Sequence, residues 1–149
     1  MNKLSLLFFL FLGFGQVAFA QQAPEPFIGA KATRKNYKAL YILNSGDEKK
    51  ITSTLRNLKN ALDDPRLKGK LDVELIAFGD GFVVYKKDGA FEKTLLALKE
   101  RGVILAQCEN TIRERKIEKD SLFNFISYVP SGNGEIIIRQ YQGWAMVHP

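Results

Sequence analysis

Short, solidly apolar runs alternate along this chain with longer stretches that are apolar on one stripe only. That alternation restricts the fold more than any other feature. Residues 37–43 hold Ala39, Leu40, Tyr41, Ile42 and Leu43 in succession, the pattern of a strand covered on both faces. Ile51, Leu55, Leu58 and Leu62 follow at spacings of four, three and four, which makes one inner stripe of a helix over Glu48–Asp63. Lys49, Lys50, Arg56 and Lys59 fall off that stripe. Asn44-Ser45-Gly46-Asp47 supplies a turn and capping side chains before the helix, and Asp64-Pro65 with Gly69 ends it.

The same alternation continues. Residues 72–78 read as a second strand, broken by Gly79-Asp80-Gly81. Phe82, Val83, Val84 and Tyr85 make a short helical turn or a lid over the strand ends. Exposed there, they would form an apolar contact between copies of the chain. A second helix spans residues 90–101, with Phe91, Leu95 and Leu98 inward and Gly102 at its C-cap. Val103-Ile104-Leu105-Ala106 is a third buried strand, running to Cys108. Residues 109–121 are polar and helical in part, with Ile112, Ile117 and the following Leu122 turned inward. Residues 125–129 form a fourth strand and residues 144–147 the last.

Residues 135–142 give conflicting signals. Ile136-Ile137-Ile138 has high strand propensity, and the Gly-Asn-Gly before it is a hairpin signal. The strand–helix rhythm instead calls for a crossover helix there, ended by Gly143. The helix is the expectation, and it yields an α/β, three-layer α/β/α domain on a five-stranded, mostly parallel sheet.

Four small, polar or glycine-rich loops then leave the carboxyl ends of strands, at residues 44–47, 79–81, 108–111 and 130–133. Ligands collect on that side of open α/β sheets. Cys108, the only cysteine, falls at such an end. Asn110 or Thr111 as a helix cap would bring backbone N–H groups and the positive end of a helix dipole to the sulfur, favouring thiolate. A second reading stands beside this one. A free cysteine is among the most often buried residue types and behaves as a small hydrophobe. Asp47, Asp80 and Glu109 are strand-end acids that suit either base or cap roles. The single histidine, His148, is penultimate and reads as a surface residue. No Cys/His cluster has metal spacing, and neither metal nor cofactor is expected.

The N-terminus sets the compartment. Met1-Asn2-Lys3, an apolar run at residues 4–15 and Ala18-Phe19-Ala20 form a secretory signal peptide over residues 1–20. Its removal from 149 residues leaves 129, enough for one core, and lowers the formal charge from +6 to +5 with the loss of Lys3. An arm at residues 21–36 precedes the domain at 37–149. The expected product is exported, periplasmic or secreted, and free of the membrane. Export favours disulfides, yet one cysteine cannot form one within the chain. A reactive thiol or pairing between chains remains. The basic residues are mixed with acids, as in Arg113-Glu114-Arg115-Lys116-Ile117-Glu118. That mixing makes a solvated face and excludes a nucleic-acid stripe.

Several blocks together resemble the DsrE/DsrF-like family. They are Tyr41-Ile42-Leu43-Asn44, Val73-Glu74-Leu75-Ile76-Ala77-Phe78-Gly79 with Gly81, and Leu98-Lys99-Glu100-Arg101-Gly102-Val103. Ala106-Gln107-Cys108-Glu109-Asn110-Thr111 and Val129-Pro130-Ser131-Gly132 follow, with Glu135, Gln140, Gly143, Trp144 and Pro149. The resemblance covers about residues 37–149. It implies the five-stranded parallel sheet and supports the helix at 135–142. Sulfur carriers of this family hold a persulfide on a cysteine at the end of the third strand, and Cys108 stands at the matching place. The resemblance therefore implies a sulfur carrier or sulfurtransferase-like protein, assembled as a trimer or hexamer, with a sulfur donor or acceptor protein as partner. Asn44, Gly79, Asn110, Thr111, Arg113, Ser131 and Gly132 are the expected binding residues around Cys108. Those carriers are cytoplasmic, whereas this chain carries an export signal. The alternative is a non-catalytic module that binds a small ligand or a protein, with Cys108 structural.

Overall fold

The computed structural model describes residues 25–149. The expected signal peptide at 1–20 and the first part of the arm lie outside the described residues, and residues 25–30 hold no helix or strand. From residue 31 onward the chain forms one compact unit.

Its sheet contains β1 (Tyr37–Leu43), β2 (Leu71–Ala77), β3 (Ile104–Cys108), β4 (Ser127–Val129) and β5 (Ala145–Val147). All pairings are parallel, in the order β4-β3-β2-β1-β5. The helices are α1 (Glu48–Asp63), α2 (Glu92–Glu100), α3 (Glu109–Glu114) and α4 (Gly132–Tyr141). The α/β architecture is the expected one. The last strands are shorter than the apolar runs suggest: Phe125 stacks on Phe123 at 4.9 Å instead of joining β4.

The strand order dictates how the two faces are covered. Three steps from β1 to β4 move one way across the sheet, and the fourth returns to the far side of β1. Parallel crossovers are right-handed, so reversing direction moves the connecting helix to the opposite face. Accordingly Ile51, Leu55, Leu58 and Leu62 of α1, Leu95 and Leu98 of α2 and Ile112 of α3 pack with Tyr41, Leu75 and Leu105 on one face. Burial of each large apolar side chain contributes roughly 1.5–3 kcal/mol. The other face buries only Leu40, Ile76, Ala106 and Trp144, against α4.

The capping chemistry behaves as the sequence suggests for α1. The Asp47 carboxylate accepts the Lys50 N–H at 2.8 Å. Gly102, at φ 85°, closes α2. For α4 the helix wins over the hairpin, and it starts earlier than expected: Ser131 Oγ accepts the Gly134 N–H at 3.2 Å, so Gly-Asn-Gly becomes the first turn.

One expectation is narrowed and one is corrected. Residues Gly79–Tyr85 form a 3-10 segment in which Val84 and Tyr85 are fully buried, with the Tyr85 hydroxyl donating to the Leu75 carbonyl at 3.0 Å. Val84 and Tyr85 thus pack on their own sheet, while Phe82 and Val83 stay partly exposed. The N-cap of α3 is Cys108 itself, not Asn110 or Thr111, because β3 runs directly into the helix.

A buried ion pair ties α4 to the sheet. Glu74, in the middle of β2, accepts from Arg139 Nε at 2.7 Å, and Arg139 Nη2 lies 2.7 Å from the same carboxylate oxygen. Arg139 also pairs with Glu135 at 2.8 Å and stacks on the Trp144 ring. Burial pushes the Glu74 carboxyl above its usual range, against the pull of Arg139. Glu74 Oε1 and Trp144 Nε1, on the same side of the sheet, have no protein hydrogen-bond partner.

Candidate functional site

The reversal of strand direction creates a crevice. After β3 the chain leads into α3 on the heavily covered face; after β4, next to it, the chain leads into α4 on the other. Adjacent strands whose connections part to opposite faces define the topological switch point, where open α/β sheets bind ligands. A cleft of about 240 Å³ lies there, lined by Phe78, Gly79, Cys108, Asn110, Thr111, Glu114, Arg115, Ser131, Gly132 and Asn133.

Cys108 is its deepest chemical group, with 4% of its surface exposed. As N-cap of α3 it makes no side-chain cap bond of the kind serine or aspartate makes. Its sulfur shares the cleft with the first residues of α3 and of α4. Burial pushes the thiol up, but the Thr111 and Gly132 N–H groups, the Thr111 hydroxyl and the Asn110 N–H outweigh burial and bring it below an ordinary thiol.

Each donor has a structural cause. Thr111 and Asn110 lie in the first turn of α3, where backbone N–H groups have no helical acceptor. Gly132 opens α4 on the other side of the sulfur. A Cβ there would come within 2.9 Å of the Phe78 ring, so only glycine lets α4 start this close. Gly79, at φ 54°, turns the chain after β2 and donates its N–H to Thr111 Oγ1 at 3.0 Å.

The basic group at the mouth is paired. Arg115 forms an ion pair with Asp80 and lies over the Phe82 ring. Glu114 lines the same rim. The other strand-end acids are used elsewhere: Asp47 caps α1, and Glu109 pairs with Lys119 at 2.6 Å.

Of the expected binding residues, Gly79, Asn110, Thr111, Ser131 and Gly132 are brought together with Cys108. Asn44 is not: it sits at the end of β1 with His148 Nε2 3.3 Å from its Oδ1. Nor does Arg113 line the cleft; its guanidinium donates to Asn110 Oδ1 at 2.8 Å on the exposed side. Arg115 and Glu114 occupy the rim instead, together with Phe78 and Asn133. Asn110–Glu114 and Thr111–Arg115 are four apart and share a face, whereas Arg113 is two from Thr111 and meets only Asn110, three before it. A larger, shallow depression of about 730 Å³ runs along the outer side of α1, lined by Asp47, Glu48, Lys49, Thr52, Ser53 and Arg56. It is the solvated surface of a helix, apart from the crevice between β3 and β4.

Among the described residues, no group of three or more His, Cys, Asp or Glu could hold a metal ion. No described helix is long and apolar enough to cross a membrane.

Residues 37–149 match the DsrE/DsrF-like family. Among solved structures, a protein of unknown function from Methanobacterium thermoautotrophicum is similar, with 28% identity and a TM-score of 0.72, covering 76% of this chain and all of that one (100%). The ychN protein from E. coli shares the fold at 14% identity and a TM-score of 0.61, over 76% of this chain and 99% of its own. No curated protein matches the sequence.

Proposed function

The chain belongs to the DsrE/DsrF-like family, and from that premise we propose that it is an exported sulfur carrier that holds a sulfane sulfur as a persulfide on Cys108. The observation that carries this reading is the place of the one cysteine, recessed in the cleft at the switch point where α3 and α4 both begin. In the proposed step, the Cys108 thiolate attacks the outer sulfur of a donor persulfide. A new S–S bond forms at Sγ, the donor's S–S bond breaks, and the donor leaves as thiolate. An acceptor thiolate takes the sulfur by the same exchange in reverse, so no oxidant or reductant is consumed. The N–H groups that favour thiolate also stabilise it as the leaving group.

The export half of the proposal rests on the basic start, apolar run and Ala18-Phe19-Ala20 site. The mature N-terminus is then Gln21. A homo-oligomer, trimer or hexamer, belongs to the same proposal. Its support is the outer side of α4, where Ile137, Ile138 and Tyr141 are exposed. Ile138→Glu should disperse such an assembly in light scattering; an unchanged mass would remove α4 from the contact.

A second reading, a non-catalytic binding module with a structural cysteine, is favoured by one observation: the near-complete burial of Cys108. Intact mass after incubation with a sulfane-sulfur donor decides between them. The carrier gains one sulfur atom per chain, and Cys108→Ser gains none while keeping its melting temperature. A native thiol that resists iodoacetamide, together with a destabilised serine variant, would leave the binding module. A hydroxyl without a partner in an apolar site costs roughly 1–3 kcal/mol.

A further inference from the structure

We propose that the cleft is a size filter: Glu114 and Asn133 at its mouth restrict the exchange partners of Cys108 to low-molecular-weight sulfane-sulfur compounds and hold off persulfides carried on the surface of folded proteins. The inference rests on the sulfur-carrier reading and names its donor class. Exchange needs the donor's outer sulfur in contact with Sγ and the leaving group aligned behind it. Cys108 lines the cleft and is only 4% exposed, so both parts of the donor must enter. The space for them is about 240 Å³, less than the roughly 300–1,000 Å³ of pockets that enclose drug-sized ligands. A group of a few heavy atoms fits. A persulfide on a protein surface reaches only a few bonds beyond its own Cα, so the chain around it meets the rim before the sulfurs meet.

The walls of the cleft are tied to one another, which opposes widening to admit a larger partner. The Gly79 N–H, in the turn after β2, donates to Thr111 Oγ1 of α3 at 3.0 Å. Asp80, next in that turn, is paired with Arg115 at the end of α3. On the other side the Phe78 ring lies against Gly132, where an added Cβ would come within 2.9 Å. The residues after β2 therefore hold both α3 and the start of α4. Glu114 lines the cleft from α3 and Asn133 from α4. Both are exposed, which puts them at the mouth and bounds it from two helices. Within, the Phe78 ring suits a methylene group, and Asn110 and Ser131 suit an amino-acid head or sulfonate oxygens. Two small donors share that chemistry. An organic hydropersulfide gives up its outer sulfur and leaves as thiolate; thiosulfate gives up its outer sulfur and leaves as sulfite with the bonding pair.

The test has an access arm and a sulfur arm, each run on the wild type and on the double variant Glu114→Ala, Asn133→Ala. Both residues are exposed, so the variant keeps the fold. In the access arm, iodoacetamide and the bulkier fluorescein maleimide alkylate the native thiol, each rate being divided by its rate on the urea-unfolded chain. Iodoacetamide should lead by about tenfold or more in the wild type, and the lead should shrink in the double variant. In the sulfur arm, intact mass follows loading from cysteine hydropersulfide, from thiosulfate and from a folded protein persulfidated on a surface cysteine. At least one small donor should load the wild type about tenfold or more faster than the protein donor at equal sulfane sulfur, and the double variant should narrow that gap. Protein-borne sulfur loading as fast as the small donors overturns the inference and leaves the carrier standing. Equal relative rates for the two alkylating reagents, or a native thiol closed to both, overturn it as well. A size advantage unchanged in the double variant overturns the role of Glu114 and Asn133. No loading from any donor defeats the carrier, and the donor class falls with it.

Discussion

The two faces of the sheet are built on different principles. One face buries twenty apolar residues under α1, α2, α3 and the 3-10 segment, without an ion pair among them. The other buries four under α4 alone, and the tie that holds α4 down is the Glu74–Arg139 pair. Cys108 closes β3 in the register of Ile104 and Ala106, and side chains two apart share a face. It therefore belongs to the thin side, beside the start of α4. Bulk burial supplies stability on the thick side. The thin side trades it for a cleft, a closely approached helix start and an outer surface that retains exposed isoleucines.

The sharpest way to test that contrast is to cut equal volumes from each side. Leu75→Ala, on the thick face, should cost about 2–5 kcal/mol in denaturant unfolding, because a fully buried leucine leaves a cavity. Next comes Arg139→Met, which leaves the Glu74 carboxylate buried and alone. A loss of about 3 kcal/mol is expected, with Glu74→Gln milder. The loss should shrink in acid. A raised carboxyl favours its protonated form in the fold, so its stabilising contribution is present at low pH and lost as pH rises through the raised value. An Arg139→Met cost that is independent of pH would mean the pair is not what holds α4.

Smaller still is the increment from Cys108. The fold holds its thiolate more tightly than the unfolded chain does, so deprotonation stabilises the protein. That increment is complete above 9.0 and lost as pH falls through the lowered midpoint. The stability difference between wild type and Cys108→Ser should grow as pH rises towards 9.0, about 1.4 kcal/mol for each pH unit separating the two midpoints. A flat difference would return the cysteine to the inert class. The smallest effect belongs to the outer surface of α4. Ile138, 53% exposed, should cost under about 0.5 kcal/mol on replacement by alanine in dilute, monomeric protein. A larger cost would show that the thin face is covered by a neighbour.

The thick side was legible in the sequence because its residues obey one period at a time. Ile51, Leu55, Leu58 and Leu62 repeat at helical spacing beside uninterrupted strands, and α1 has the bounds that spacing predicts. The thin side was harder because α4 carries contrary local signals. Ile136, Ile137 and Ile138 favour a strand, and the helix follows from topology and from Ser131 capping Gly134. At the site, the residues adjacent to Cys108 in sequence and in the next two loops were readable. Arg115 was not, because choosing it over Arg113 requires knowing that α3 starts at Glu109. Asn44 lies apart from the cleft for a related reason. All strand ends look alike in sequence, but the crevice opens only between β3 and β4, and β1 lies two strands away.

The neighbour relation of β1 has a consequence for the order in which the molecule can be finished. Ala39 pairs with Ala145, so the first strand made waits for the last. β1 to β3 can pair, and their helices can dock, while the chain is still emerging. The opposite edge of β1 stays open until β5 arrives, and α4, which leads into β5, closes over the sheet at the same time. Such distant pairings form late because loop closure precedes any reward from contact. Cys108 and its β3 neighbours therefore exist before Gly132 can reach the sulfur. Until α4 docks, the sulfur lacks the wall of its cleft that Ser131, Gly132 and Asn133 supply.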